Sequence, residues 1–91
     1  MEPLVERSLF FGNLNFDLTE SELFDFLSAQ GCHVVALRIL RDAQTKNSMG
    51  CAIARMLALP NETVEALSDN LRGLKVHGRT LRCDPARGAD V

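Results

Sequence analysis

Short apolar runs of strand length alternate along this chain with segments whose apolar residues recur every three or four positions. The first run, Ser8 to Leu14 (SLFFGNL), ends in Gly and Asn and is too short for a buried helix, so it predicts a strand. Thr19-Glu20-Ser21-Glu22 follows as a capping box, in which the Thr19 hydroxyl accepts from the Glu22 amide and the Glu22 carboxylate accepts from the Thr19 amide. Leu23, Phe26 and Leu27 then repeat at helical spacing, and Gly31 closes that helix as its C-cap. His33 to Arg41 (HVVALRILR) is rich in β-branched residues and alternates from Val35 onward. That predicts a second strand with Val35, Leu37 and Ile39 on one face and Ala36, Arg38 and Leu40 on the other.

The polar stretch Asp42 to Asn47 reads as a hairpin connection, and Gly50 to Leu57 (GCAIARML) as the third strand. Pro60 and Asn61 announce a second helix with Asn61 as its N-cap; Val64, Leu67 and Leu71 form its apolar stripe, and Gly73 ends it. Leu74 to Val76 and Arg79 to Asp84, separated by His77-Gly78, predict a small hairpin leading into a last strand that Pro85 stops. The expected organisation is a domain over residues 7–85 between flexible segments 1–6 and 86–91, with no internal repeat or low-complexity linker. The order strand, helix, strand, strand, helix, strand is that of an α+β, ferredoxin-like βαββαβ fold: a four-stranded antiparallel sheet. Right-handed crossovers place both helices on one face and leave the other open.

Composition narrows the function classes. With 91 residues, 46% of them apolar, there is material for one core and not for two. No run approaches the roughly 20 apolar residues of a membrane span, and Met1 to Glu6 lacks the charged and apolar regions of a secretory signal, so a nuclear or cytoplasmic protein is expected. Cys32, Cys51 and Cys83 are an odd set without CxxC spacing, which suits free thiols rather than disulfides or zinc. His33 and His77 fall in predicted turns with no partner at metal or catalytic spacing. Acylphosphatases share the element order. Here, however, there is no Gly-rich phosphate cradle, no nucleophile with a base and no metal cluster, so no enzymatic activity and no cofactor are expected.

Formal charge is −2, a poor total for a nucleic-acid binder, but its distribution matters more. Asp17 to Gln30 carries Asp17, Glu20, Glu22 and Asp25 without a base, and Asn61 to Leu71 carries Glu62, Glu65 and Asp69 without one. The bases therefore lie largely off the predicted helices.

Leu9-Phe10-Phe11-Gly12-Asn13-Leu14 resembles the six-residue signature of the RNA recognition motif (RRM) family, apart from Phe11 where an aliphatic is usual. Met49-Gly50-Cys51-Ala52-Ile53-Ala54-Arg55-Met56 stands at the eight-residue signature, but only Gly50 and Ala52 fit it well. With the NLNFDLTESEL lead into the first helix and the GRTLR lead into the last strand, the resemblance runs from about Arg7 to Asp84. It implies that single-stranded RNA lies on the open sheet face with bases stacked on aromatic rings. Of the family's three platform aromatics only Phe10 is retained, and stacking contributes about 1–3 kcal/mol per base, so reduced affinity is expected.

By alternation, Phe10 and Gly12 face outward from the first strand, and Met49, Cys51, Ile53 and Arg55 from the third; Arg38 and Arg82 fall on outward positions of their strands. The candidate RNA-binding set is therefore Phe10, Arg38, Met49, Cys51, Ile53, Arg55 and Arg82, on a domain that is monomeric alone. The rival reading is a protein-interaction RRM, using either the apolar sheet positions with Leu40 or the first helix, where Phe24 sits beside the apolar stripe. The U2AF homology subgroup is disfavoured, because Leu74-Lys75-Val76 stands where it has Arg-x-Phe.

Overall fold

The computed structural model describes residues 3–86. Strand β1 (Val5–Gly12) is followed by helix α1 (Glu20–Ala29), the hairpin strands β2 (His33–Arg41) and β3 (Ser48–Ala58), helix α2 (Val64–Leu71), the short strands β4 (Lys75–Val76) and β5 (Arg79–Thr80), and β6 (Arg82–Pro85). The main sheet is antiparallel in the order β2-β3-β1-β6, with β4 and β5 forming a separate small hairpin. The ferredoxin-like architecture expected from the residue pattern is the one observed. Residues 87–91, most of the expected C-terminal tail, and Met1 and Glu2 lie outside the described residues. Val5 and Glu6 belong to β1, which begins three residues before the predicted run.

Large and small side chains alternate across the inner face of the sheet. Ala52 on β3 stands between Phe11 on β1 and Ile39 on β2, and Ala54 between Leu9 and Leu37. The alanines that make this strand's sequence a weak strand former are thus the volume complement of four large neighbours, and both are fully buried. Leu23 and Leu27 of α1 and Leu71 of α2 close over them, with Leu81 and Cys83 at the β6 side.

Both ends of α1 follow the local code. The Thr19 amide donates to Glu22 Oε1 at 3.0 Å, the Glu22 amide donates to Thr19 Oγ1 at 3.1 Å, and Gly31 carries a φ of +87° just past the Gln30 cap. The N-cap of α2 is a correction: it is Thr63, whose hydroxyl accepts from the Ala66 amide at 3.1 Å, and not Asn61. The chain must first turn. Glu62 accepts the Leu59 amide through its carboxylate at 2.8 Å, and Arg7 donates to the Glu62 carbonyl at 3.2 Å, which holds residues 59–62 as a bend ahead of the helix.

Two further departures have structural causes. In β2, Val34 pairs with Met56 and Ala36 with Arg55, so Val35 is the extra residue of a β-bulge. Val34 takes the inward position predicted for Val35, which is turned out instead. The predicted last strand, Arg79 to Asp84, is interrupted at Leu81, which is buried and exchanges backbone hydrogen bonds with the α2–β4 segment: its amide donates to the Leu74 carbonyl at 2.7 Å and its carbonyl accepts from Gly73 at 3.1 Å.

Candidate nucleic-acid interface

Strand register assembles the open face in rows. Phe10 on β1 stands opposite Ile53 on β3 and opposite Asp84 on β6, and Ile53 stands opposite Arg38 on β2. At the usual spacing of adjacent strands, this row of Arg38, Ile53, Phe10 and Asp84 spans roughly 14 Å. The neighbouring row contains Ala36, Arg55 and Ser8. On the other side of Phe10, Gly12 is opposite Arg82. A Cβ on Gly12 would sit 3.5 Å from Phe10 Cε1 and 3.6 Å from Arg82 Cβ, so the glycine leaves one edge of the ring and the arginine stem uncovered.

All seven residues predicted for this surface occupy the non-core side of their strands. Burial in β3 alternates strictly from Ser48 to Ala58, leaving Met49 exposed and Cys51, Ile53 and Arg55 half-buried. Phe10 is half-buried, and Arg38 and Arg82 are exposed. Met49 joins Arg38, Leu40, Arg41 and Lys46 along a groove of about 590 Å³ at the β2–β3 hairpin.

The three arginines are not equivalent, which alternation alone does not reveal. Arg55 Nη1 lies 3.4 Å from Glu6 Oε1, at a site open enough to water on the Glu6 side that the pair contributes little. Arg55 Nε is buried without a hydrogen-bond partner among the described residues. The side chains of Arg38 and Arg82 make no hydrogen bond or ion pair with the described residues and stand free to meet an anion. The expected concentration of positive charge is also diluted, because Glu6 and Asp84 share the face. Asp84 is approached at 3.6 Å by Arg72, which reaches around the sheet edge and donates from Nε to the Cys83 carbonyl.

Phe16 is an aromatic that the residue pattern did not single out. It is 74% exposed in the loop between β1 and α1, and its ring lies against the backbone of Gly50. A Cβ at Gly50 would come within 2.9 Å of Phe16 Cε1 and 3.3 Å of the Leu14 carbonyl oxygen, and Gly50 has a φ of +77°. The glycine of the third-strand signature is thus required twice, for its conformation and for the approach of the ring. Phe16 also borders a concavity of about 390 Å³ with Leu14, Asn15, Asp17 and Arg79.

Asn13 organises that end of the sheet. In a left-handed conformation at φ 60°, it donates through Nδ2 to the Thr80 carbonyl at 2.8 Å and accepts from Arg79 at its carbonyl (3.1 Å) and Oδ1 (2.7 Å). Asn15 Nδ2 adds a bond to the His77 carbonyl at 3.2 Å. The asparagine of the first-strand signature therefore ties the loop carrying Phe16 to the β4–β5 hairpin. The only sequence signal for Phe16 was an aromatic outside both apolar stripes.

Cys83 is buried and its thiol is pushed up to about 12, chiefly by burial, so it stays protonated. Among the described residues, no group of three or more His, Cys, Asp or Glu is arranged to hold a metal ion, and no helix is long and apolar enough to cross a membrane.

Residues 9–82 match the family model of the RNA recognition motif. The chain is 35% identical over 88 residues to cleavage stimulation factor subunit 2 of Homo sapiens, covering 93% of this chain and 15% of that protein. It superposes on the Rna15 RRM with a TM-score of 0.75 and 29% identity, over 91% of this chain and 92% of that one. Against the structure of the Rna15 RRM with bound RNA (GU), the TM-score is 0.70 and the identity 28%, over 93% and 87% of the two chains. With the family model matched over residues 9–82 and the sheet topology and fold in agreement with it, this chain belongs to the RNA recognition motif family.

Proposed function

We propose that this domain is a non-enzymatic module that binds single-stranded RNA across the open face of its sheet. The observation that carries the reading is the central row, where a half-buried ring, Phe10, and an apolar neighbour, Ile53, lie beside the free guanidinium of Arg38. Phe10 stacks on a base, Ile53, Cys51 and Met49 form an apolar floor, and Arg38 and Arg82 meet phosphates. Arg55 joins them by exchanging the exposed Glu6 carboxylate for a phosphate oxygen. Phe16 offers a second ring where the strand of RNA leaves the sheet. The likeness to an RRM solved with bound RNA and to a cleavage stimulation factor subunit supports a role in RNA processing in the nucleus or cytoplasm.

Fluorescence anisotropy with short GU-rich and mixed-sequence RNAs tests this. Phe10→Leu keeps the apolar bulk but removes the π face, and should weaken binding by about fivefold or more, equivalent to roughly 1 kcal/mol of lost stacking. Equal affinity of wild type and variant, with both folded, would remove Phe10 from the interface and the proposal with it.

A further inference from the structure

Helix α1 and the edge strand β2 enclose an apolar groove that the sheet face does not use. We infer that it docks a short, extended, basic peptide that carries one large apolar side chain. Phe24 on α1 is 43% exposed and Val35 on β2 is 47% exposed. They border, with Ser21 and Leu37, a groove of about 360 Å³, near the lower end of the range for ligand pockets. Neither side chain is needed by the core, and Val35 is presented here only because the bulge displaces it from the register that Val34 fills.

Charge selects the partner. The chain from Asp17 to Gln30 contains four acids and no base; Glu20, which lines the groove, pairs with Arg41, while the side chain of Asp25, next to Phe24, makes no hydrogen bond or ion pair with the described residues. A peptide with Lys or Arg on either side of its apolar residue is attracted to this rim, whereas RNA is repelled by it. Geometry favours an extended partner. The Ile39 amide points away from β3, since it donates to Glu20 Oε2 at 3.2 Å. Leu37, two residues earlier on the same strand, turns its backbone groups the same way, toward the groove, where an added strand can pair with them.

This inference does not depend on RNA binding, since the groove lies at the helix side of the sheet edge. The test titrates the ¹⁵N-labelled domain with an acetylated and amidated heptapeptide of six alternating Lys and Arg around a central Leu, followed by NMR. Two controls replace the Leu by Ser or all six bases by Glu. Shifts should concentrate on residues 21–25 and 34–37, and affinity should fall at least tenfold with either control peptide. Phe24→Ser should lower affinity for the Leu peptide by a similar factor, while leaving RNA affinity and melting temperature unchanged. Absence of shifts, equal affinity for the Leu and Ser peptides, shifts centred on the sheet face, or shifts of these residues by a short RNA would each overturn the assignment.

Discussion

Several residues that mark this chain as an RRM act on backbone geometry and not on a ligand. Asn13 accepts a left-handed conformation that few side chains tolerate, and uses both ends of its amide to join the β1–α1 loop to the β4–β5 hairpin. Gly50 combines a positive φ with the close approach of Phe16. Gly50→Ala is therefore expected to cost about 1–3 kcal/mol of stability through strain and displacement of the ring. Urea unfolding measures this directly, and an unchanged midpoint would mean that the Phe16 loop gives way freely. The roles of Asn13 and Gly50 separate affinity from folding: Phe10 variants should bind less and melt normally, whereas Gly50 variants should melt early.

At the scale of elements, β2 is an exposed edge whose Ile39 end the protein covers. Glu20 reaches from α1 to accept the outward Ile39 amide while pairing with Arg41 at 3.4 Å. Burial opposes ionisation of Glu20, but the Ile39 amide and Arg41 outweigh it and hold the carboxyl below its ordinary value of 4.5. The amide and then the hydroxyl of Thr19 likewise hold Glu22 below 4.5. Because both carboxyls bind protons less readily in the folded state, the stability they contribute is fully present above about 4.5 and is lost as pH falls from there through the lowered folded values. The melting temperature should thus begin to drop below pH 4.5, and more shallowly in a Glu20→Gln, Glu22→Gln double variant. Identical acid slopes for the two proteins would show that other groups govern the transition.

The same scale governs the platform. Cys51 and Ile53 are half-buried on the outer side of a strand whose inner side is tightly packed. Replacing them with Tyr and Phe adds rings without touching the core. RNA affinity should rise tenfold or more, at about 1–3 kcal/mol for each ring that stacks on a base, with little change in stability. Unchanged affinity would indicate that RNA does not cross this part of β3.

Across the whole molecule, charge is sorted by side. Acids dominate the helices, whereas the sheet face sets Arg38, Arg55 and Arg82 against Glu6 and Asp84. A domain of formal charge −2 therefore has a face able to meet phosphate, though not one that attracts nucleic acid strongly from a distance. If all three arginines engage phosphates, single-strand counterion release predicts an affinity loss of roughly 20-fold between 50 and 200 mM salt. A flat salt response would rule out the arginines as phosphate contacts.

Most of the fold was legible along the chain because it rests on local rules. A capping box reads the same in a peptide as in a protein, and Gly31 and Gly73 mark helix ends by their backbone freedom alone. Alternation placed all seven candidate residues on one side of the sheet, since a pleated strand has only two sides. What only tertiary structure decided depends on contacts between distant residues. Val35 points outward because Met56 and Arg55 across the hairpin pair with its neighbours. Thr63 and not Asn61 caps α2 because Arg7, more than fifty residues earlier, helps hold the preceding bend. Arg55 is occupied and Arg38 is free because register brings Glu6 to one and no carboxylate to the other. Phe16 is presented because Gly50 leaves room beneath its ring. Periodicity and caps are properties of neighbours in the chain, whereas register, bulges and ion pairs belong to neighbours in space.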